Sequence, residues 1–444
     1  MFDRPRLATT QPRATACSCL EAALEAANPL SALNQTVRYE SGTLSILDTS
    51  FDVDSFDRVV VAGGGNAAGV LSKGLEELLS DRIDDGIVVT DVPTSLSTIQ
   101  VFEGDHPVPT ARNVEATEEL LKLLDEVSED TLVLCPITGG ASALLTAPAP
   151  SVTLEDLQMV TESLLSSGAS IVEINVVRKH LSRIKGGQLA TRAMPATVVG
   201  VVVSDVVGND LSAIASGPTV PDSSTFAEAQ RVVDSYGISV SDRVQERLEA
   251  GIAGTVDETP TASSTRFDSV SNHVIGDVES ALLAAEAEAR NRGYHPMILS
   301  TRIRGEAREA AKTHLAIAEE IRSTQRPIEP PAVLISGGET TVTLSGDGVG
   351  GPNQEFALSA AIELEEDGVV VASADSDGID GVTDAAGAIV DDTSVDDPIA
   401  ARDALLRNDA YPALKQVDAL LKTGQTGTNV NDIRIVVVEG PTGP

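Results

Sequence analysis

Tryptophan is absent, aromatic residues make up only 2% of the chain, and three cysteines occur in 444 residues. With so few rings, the interior must be filled by Val, Leu, Ile and Ala, which favours layered α/β packing over an aromatic-rich sandwich. Cys17, Cys19 and Cys135 are too few for a disulfide framework or a cysteine-held zinc. Lysine is also scarce: Lys73, Lys122, Lys179, Lys185, Lys312, Lys415 and Lys422 are the full set. Basic residues number 31 against 67 acidic ones, a net charge of −36. That balance argues against nucleic acid and anionic membranes as partners. Self-repulsion of this size weakens the compact state at low salt, so a salt-adapted, cytoplasmic protein is expected. No apolar run reaches the length of a membrane span, and the N-terminal MFDRPRLATTQPRATACSCL lacks the apolar core of a signal peptide.

The length points to two or three domains. The proline-rich stretch STQRPIEPP at 323–331 reads as a bridge, giving a large unit over 1–325 and a smaller one over 326–444. Several apolar, β-branched runs end in polar, glycine-rich tips, as buried strands of a parallel sheet do. The most informative is VVGVVVSDVVGNDLSAIASGPTVPD at 198–222, where Asp205 and Asp210 fall beyond the carboxyl end of a strand. Ligands of open α/β sheets collect there. RVVVAGGGNAAGVLSKG brings Gly63, Gly64, Gly65 and Asn66 between strand and helix. Its G-x-G-x-x-A outline suggests backbone N–H groups open to an anion, or a dinucleotide site. LVLCPITGGASALL repeats the arrangement with Thr138, Gly139, Gly140 and Ser142.

EINVVRKHLSRIKGGQLA, residues 173–190, is the local anomaly in charge. Ile174, Val177, Leu181 and Ile184 form one helical stripe. The remainder gathers Arg178, Lys179, His180, Arg183 and Lys185 after the opening Glu173, including two of the seven lysines. Such a cluster in an acidic chain fits an anion held by Arg and Lys. Further on, SGGETTVTL contains Glu339, GGPNQEFAL contains Asn353 and Glu355, and a run of Asp375, Asp377, Asp380 and Asp384 lies among glycines without the closing Glu of an EF-hand.

Taken together, GDHPVPTARN, ITGGASALLTAPA, EINVVRKHLSRIKGG, SDVVGNDLSAIASGPTVPD, SGGETTVTL, GGPNQEFAL, DGIDGVTDAAGA and TGQTGTNVND resemble one family over nearly the whole chain. It is the glycerate 2-kinases with a C-terminal MOFRL domain, formerly labelled hydroxypyruvate reductases. The resemblance implies a large Rossmann-like α/β domain, a smaller α/β MOFRL domain and an active-site cleft between them. It also implies ATP, Mg²⁺ and transfer of phosphate to the 2-hydroxyl of D-glycerate. Two positions depart from the family pattern: Asn66 stands where a lysine is common, and Pro352 where an arginine is.

On this reading Arg178, Lys179 and Lys185 hold the carboxylate and the transferring phosphoryl group. Asp205 is the base or a metal ligand, with Asp210 as its partner, and Asp377 and Asp380 are further metal candidates. Gly63 to Asn66, Gly139, Gly140 and Ser142, with Glu339, Asn353 and Glu355 from the smaller domain, are candidate substrate or nucleotide contacts. Two alternatives remain: an NAD(P)H-dependent hydroxypyruvate reductase, from Gly63, Gly65 and Ala68, and a non-catalytic sugar-acid or nucleotide sensor, from Asn66 and Pro352. A homodimer is compatible with either.

Overall fold

The computed structural model describes residues 1–364 and 367–440. The chain divides into two compact units, one nested in the sequence of the other: Ala32–Ile275, and Met1–Ser31 together with the chain from Gly276 onward.

The nested unit is built on a six-stranded sheet. In chain order its strands are β1 (Arg58–Gly64), β2 (Asp85–Thr90), β3 (Gln100–Glu103), β4 (Thr131–Ile137), β5 (Thr197–Val203) and β6 (Val270–Gly276), arranged β3-β2-β1-β4-β5-β6. The pairs β1–β2, β2–β3, β1–β4 and β4–β5 are parallel. The order reverses between β1 and β4, which makes the tips of those strands the topological switch point. Continuous burial of Val59, Val60, Val61 and Ala62 in β1, and of Leu132 to Cys135 in β4, explains the unbroken β-branched runs. On one face, Leu120, Leu121 and Leu124 of helix α2 (Ala111–Leu124) pack against Val60, Val133 and Val198; helix α1 (Ala68–Leu79) follows β1 directly. A second cluster joins α4 (Leu154–Ser166) and α5 (Ile171–His180) through Val160, Leu164, Ile174 and Val177 to Phe226 and Leu248. A four-residue helix, α3 (Ala141–Leu144), follows the tip of β4.

The other unit has a mixed six-stranded sheet: β7 (His295–Ile303), β8 (Ala332–Gly338), β9 (Val369–Asp375), β10 (Gly387–Asp391), β11 (Leu420–Leu421) and β12 (Asp432–Val438), in the order β7-β8-β12-β9-β10-β11. β7 and β8 are parallel, and β12 runs antiparallel to both β8 and β9. Helices α6 (Val278–Asn291), α7 (Ala307–Thr324) and α8 (Pro352–Glu363) belong to it, as does the N-terminal helix Gln11–Ala27. The compact units therefore part at 275/276, whereas the proline-rich stretch had placed a boundary at 325/326. That stretch leads from α7 into β8, and β7 pairs with β8 from His295↔Ala332 onward. The prolines thus close a crossover within one unit. Cys17, Cys19 and Cys135 are free and buried. Among the described residues, no helix is long and apolar enough to cross a membrane.

Candidate active site

A cavity of about 620 Å³ opens on the nested unit. Its lining includes His106, Gly139, Gly140, Ser142, Arg178, Lys185 and Asp205, brought from four separate segments. Asp205 follows β5 by two residues. A Cβ on Gly139 would lie 2.5 Å from Asp205 Oδ2, so only glycine lets the β4 tip approach the carboxylate this closely. Gly140 is left-handed, with φ +78°, and turns the chain into α3. Among the described residues, no protein acceptor takes the N–H of Gly139 or Gly140.

Lys185 sits in the turn after α5 and is 6% exposed. Its Nζ donates to Ser142 O at 2.7 Å and Leu145 O at 3.0 Å. Neither acceptor is a carboxylate, and no carboxylate among the described residues pairs with the Lys185 ammonium. Burial first, and then the neighbouring Arg178 cation, push the ammonium down to about 7. Arg178, from the last turn of α5, has no acceptor at all among the described residues, and burial lowers its pKa. Burial likewise holds the Asp205 carboxyl above the usual carboxylate range. Two basic side chains and a carboxylate, with no ion pair among them to another side chain of the described residues, therefore meet in one cavity. Ser142 Oγ lies 3.0 Å from Ser216 Oγ, which donates to Asn175 Oδ1 at 2.9 Å, tying α3, α5 and the segment after β5 together.

Other expected contacts lie elsewhere. Lys179 is 6% exposed and paired at 3.1 Å with Asp222, itself 2% exposed. Asp222 also accepts from Ser224 and Thr259 at 2.9 Å each. Successive helix residues point about 100° apart, so Arg178 and Lys179 cannot share a face. Asp210 is exposed and accepts from Ser212 N in a local turn rather than lining the cavity with Asp205.

The glycines at the end of β1 are packing residues. Added side chains at Gly63, Gly64 and Gly65 would strike Pro136, Leu145 and Thr138. The N–H groups expected to be open are used within the protein: Gly65 to Val89 O at 3.0 Å, Asn66 to Gly139 O at 2.8 Å, and Ala67 to Thr138 Oγ1 at 3.1 Å. This removes the feature that suggested a dinucleotide loop. Asn66 Oδ1 is buried without a donor, in the space a Cβ of Gly140 would fill.

In the other unit, Glu339 is exposed beyond β8. Asn353 is buried and donates to Asp432 Oδ1 at 2.6 Å while accepting from Ser373 at 2.5 Å. Glu355 is buried against Arg308, whose Nε is 2.7 Å away, and Asn408, at 3.2 Å. Asp380 accepts the N–H groups of Asn353 and Gln354 at 3.0 and 2.7 Å, capping α8 from a distant loop. Pro352 is at the start of that helix, where a missing N–H carries no penalty. Asp377 accepts Ile379 N at 2.7 Å. Asp380 has both oxygens committed, and no group of three or more His, Cys, Asp or Glu among the described residues is arranged to hold a metal.

The sequence reading missed the face of α4 in the cavity wall, where Leu157, Gln158, Thr161 and Leu165 stand. Its signal was a second apolar stripe, Leu157 and Leu165, on a helix that already buries Val160 and Leu164.

Residues 15–249 match a domain of unknown function, DUF4147, and residues 332–432 match the MOFRL family. A D-glycerate 2-kinase of Thermotoga maritima is 43% identical over 395 residues, covering 86% of this chain and 91% of its own. A glycerate 2-kinase of Pyrococcus horikoshii is 39% identical, covering 95% and 96%. The crystal structure of a Thermotoga maritima glycerate kinase superposes with a TM-score of 0.85 at 40% identity, covering 96% of this chain and 99% of that one. With this identity sustained across both matched domains, the chain belongs to the glycerate 2-kinase family with DUF4147 and MOFRL domains.

Proposed function

We propose that this protein is an ATP-dependent kinase acting in the cytoplasm, which transfers the γ-phosphoryl group to the 2-hydroxyl of D-glycerate. The observation that carries the reading is the meeting of Arg178, Lys185 and Asp205 in one cavity of a chain whose net charge is −36. Phosphoryl transfer asks a protein for positioning and charge neutralisation more than for covalent chemistry. Arg178, and Lys185 in its protonated form, supply positive charge for the carboxylate and the phosphoryl oxygens, in a buried setting where charges act strongly. The Gly139 and Gly140 N–H groups offer further donors to a phosphoryl oxygen. Asp205 takes the proton of the 2-hydroxyl as that oxygen bonds to the γ-phosphorus. The bond from phosphorus to the β,γ-bridging oxygen breaks, and ADP leaves with its electrons. Asp205 is the residue that would stand beside a bound Mg²⁺, which would supply neutralisation of phosphate charge.

The test is direct. Purified protein in high salt is incubated with D-glycerate, ATP and Mg²⁺, and the product is identified by NMR. Formation of 2-phosphoglycerate is the expected result. NADH oxidation by hydroxypyruvate, or binding of D-glycerate and ATP without turnover, would replace this reading with the reductase or the sensor.

A further inference from the structure

The cavity is larger than the proposed acceptor requires, and one of its walls has no part in the roles assigned so far. At about 620 Å³ it falls within the roughly 300–1,000 Å³ of pockets that take drug-sized ligands; a three-carbon acid fills a small part of it. The unused wall includes Leu157, Gln158, Thr161, Glu162 and Leu165 from α4, Val108 from the loop before α2, and Ile171 from the first turn of α5.

Helix α4 buries Asp156, Val160 and Leu164 on its packed side. A surface helix ordinarily carries polar residues on its other side. Here Leu157, which also packs against the core beside Val160, recurs with Thr161 and Leu165 at i, i+4 and i+8, and all three line the cavity. Leu165 is 58% exposed, Val108 58% and Ile171 53%. Large aliphatic side chains left in water beside an anion-binding pocket mark a ligand surface. Two polar groups are interleaved with them. Gln158 gives its Nε2 to Pro109 O at 2.7 Å, which leaves its amide oxygen as an acceptor. The Thr161 hydroxyl has no protein partner among the described residues.

We propose that this wall binds the base of the nucleoside triphosphate, with Leu165, Ile171 and Val108 against the ring faces and Gln158 and Thr161 reading the edge of an amine-bearing heterocycle. The proposal rests on the kinase reading above. An alkyl extension of the acceptor acid is the competing occupant. Edge-reading polar groups set among the aliphatics favour a heterocycle, and the adjoining Arg178 and Lys185 complement the triphosphate tail.

The experiment uses the full chain carrying Leu165→Asn and Ile171→Asn together. Both positions are more than half exposed, and both replacements are neutral, so neither the core nor the charge of the pocket changes. Binding of ATP and of inorganic tripolyphosphate is measured by calorimetry, alongside KM for ATP and for D-glycerate. ATP binding should weaken about tenfold, as loss of two apolar contacts implies, while tripolyphosphate binding and KM for D-glycerate stay within about twofold. Unchanged ATP binding, or equal losses for ATP and tripolyphosphate, would overturn the proposal. A rise in KM for D-glycerate alone would assign the wall to the acceptor. Wild-type protein that forms no 2-phosphoglycerate would defeat the kinase reading, whereas the calorimetric comparison still decides where the base binds.

Discussion

Lys185 supplies a prediction whose size follows from its surroundings. Its ammonium is held by two backbone carbonyls and no carboxylate, and burial followed by Arg178 brings it down to about 7. The charged form is therefore present below that value and lost above it. If the cation binds the substrate anion, kcat/KM must fall as pH rises through 7, because this ratio reports the free enzyme. Two pH units above the midpoint leave about one molecule in a hundred protonated, so kcat/KM at pH 9 should be about a hundredfold below its maximum, about 2.7 kcal/mol. Lys185→Ala should lose about a hundredfold or more at pH 6, and its profile should show no alkaline decline. The two curves should converge near pH 9. Initial rates with D-glycerate limiting, from pH 5.5 to 9, measure this directly, and a thermal melt of the variant checks its folding. A kcat/KM that rises through pH 7 would make Lys185 a base rather than a cation. Near-normal rates in Lys185→Ala would remove it from the site.

Three more outcomes are expected. Asp205→Asn should reduce kcat about a hundredfold or more and abolish the acid limb of the profile, since the raised Asp205 carboxyl must ionise before it accepts a proton. Lys179→Ala should destabilise the protein by roughly 3–5 kcal/mol in urea titration, because it strands a buried carboxylate, yet lower kcat of the folded fraction far less than Lys185→Ala does. Burial alone would raise Asp222, but Lys179 with Ser224 and Thr259 outweighs it and holds the carboxyl below the usual range. The stability from Asp222 is thus complete above its ordinary value and disappears as pH falls through the lowered one; Lys179→Ala should move that loss to higher pH. Finally, with a net charge of −36, dialysis from molar to millimolar salt should lower the melting temperature and the activity together; an unchanged melt would contradict salt adaptation.

The strands of the nested unit were legible because burial on both faces leaves continuous β-branched runs, as in β1, β4 and β5. The position of Asp205 and Gly139 just beyond strand ends was legible for a related reason, because the apolar runs that mark the strands stop shortly before them. What a sequence does not display is whether a polar group is already satisfied. The N–H groups of Asn66 and Ala67 find acceptors on Gly139 and Thr138, some seventy residues on. Asn353, Glu355 and Asp380 read as a site and are a buried network around the start of α8. Lys179 was grouped with Arg178 by adjacency, although helical geometry separates neighbours. The division of the chain was obscured similarly, since the prolines before β8 look like a linker until the β7–β8 pairing is known.

The placement of β12 has a consequence for biosynthesis. Among the described residues, β8 and β9 are joined in the sheet through this strand, which is translated after the sheet's other strands. Until residues 432–438 leave the ribosome, a nascent chain carries two half-sheets with open edges, while all the nested unit has already been made. A premature stop shortly before Asp432 would thus remove the seam on which Arg434 and Asp432 are buried, leaving the cavity residues intact in sequence and their companion unit without a centre.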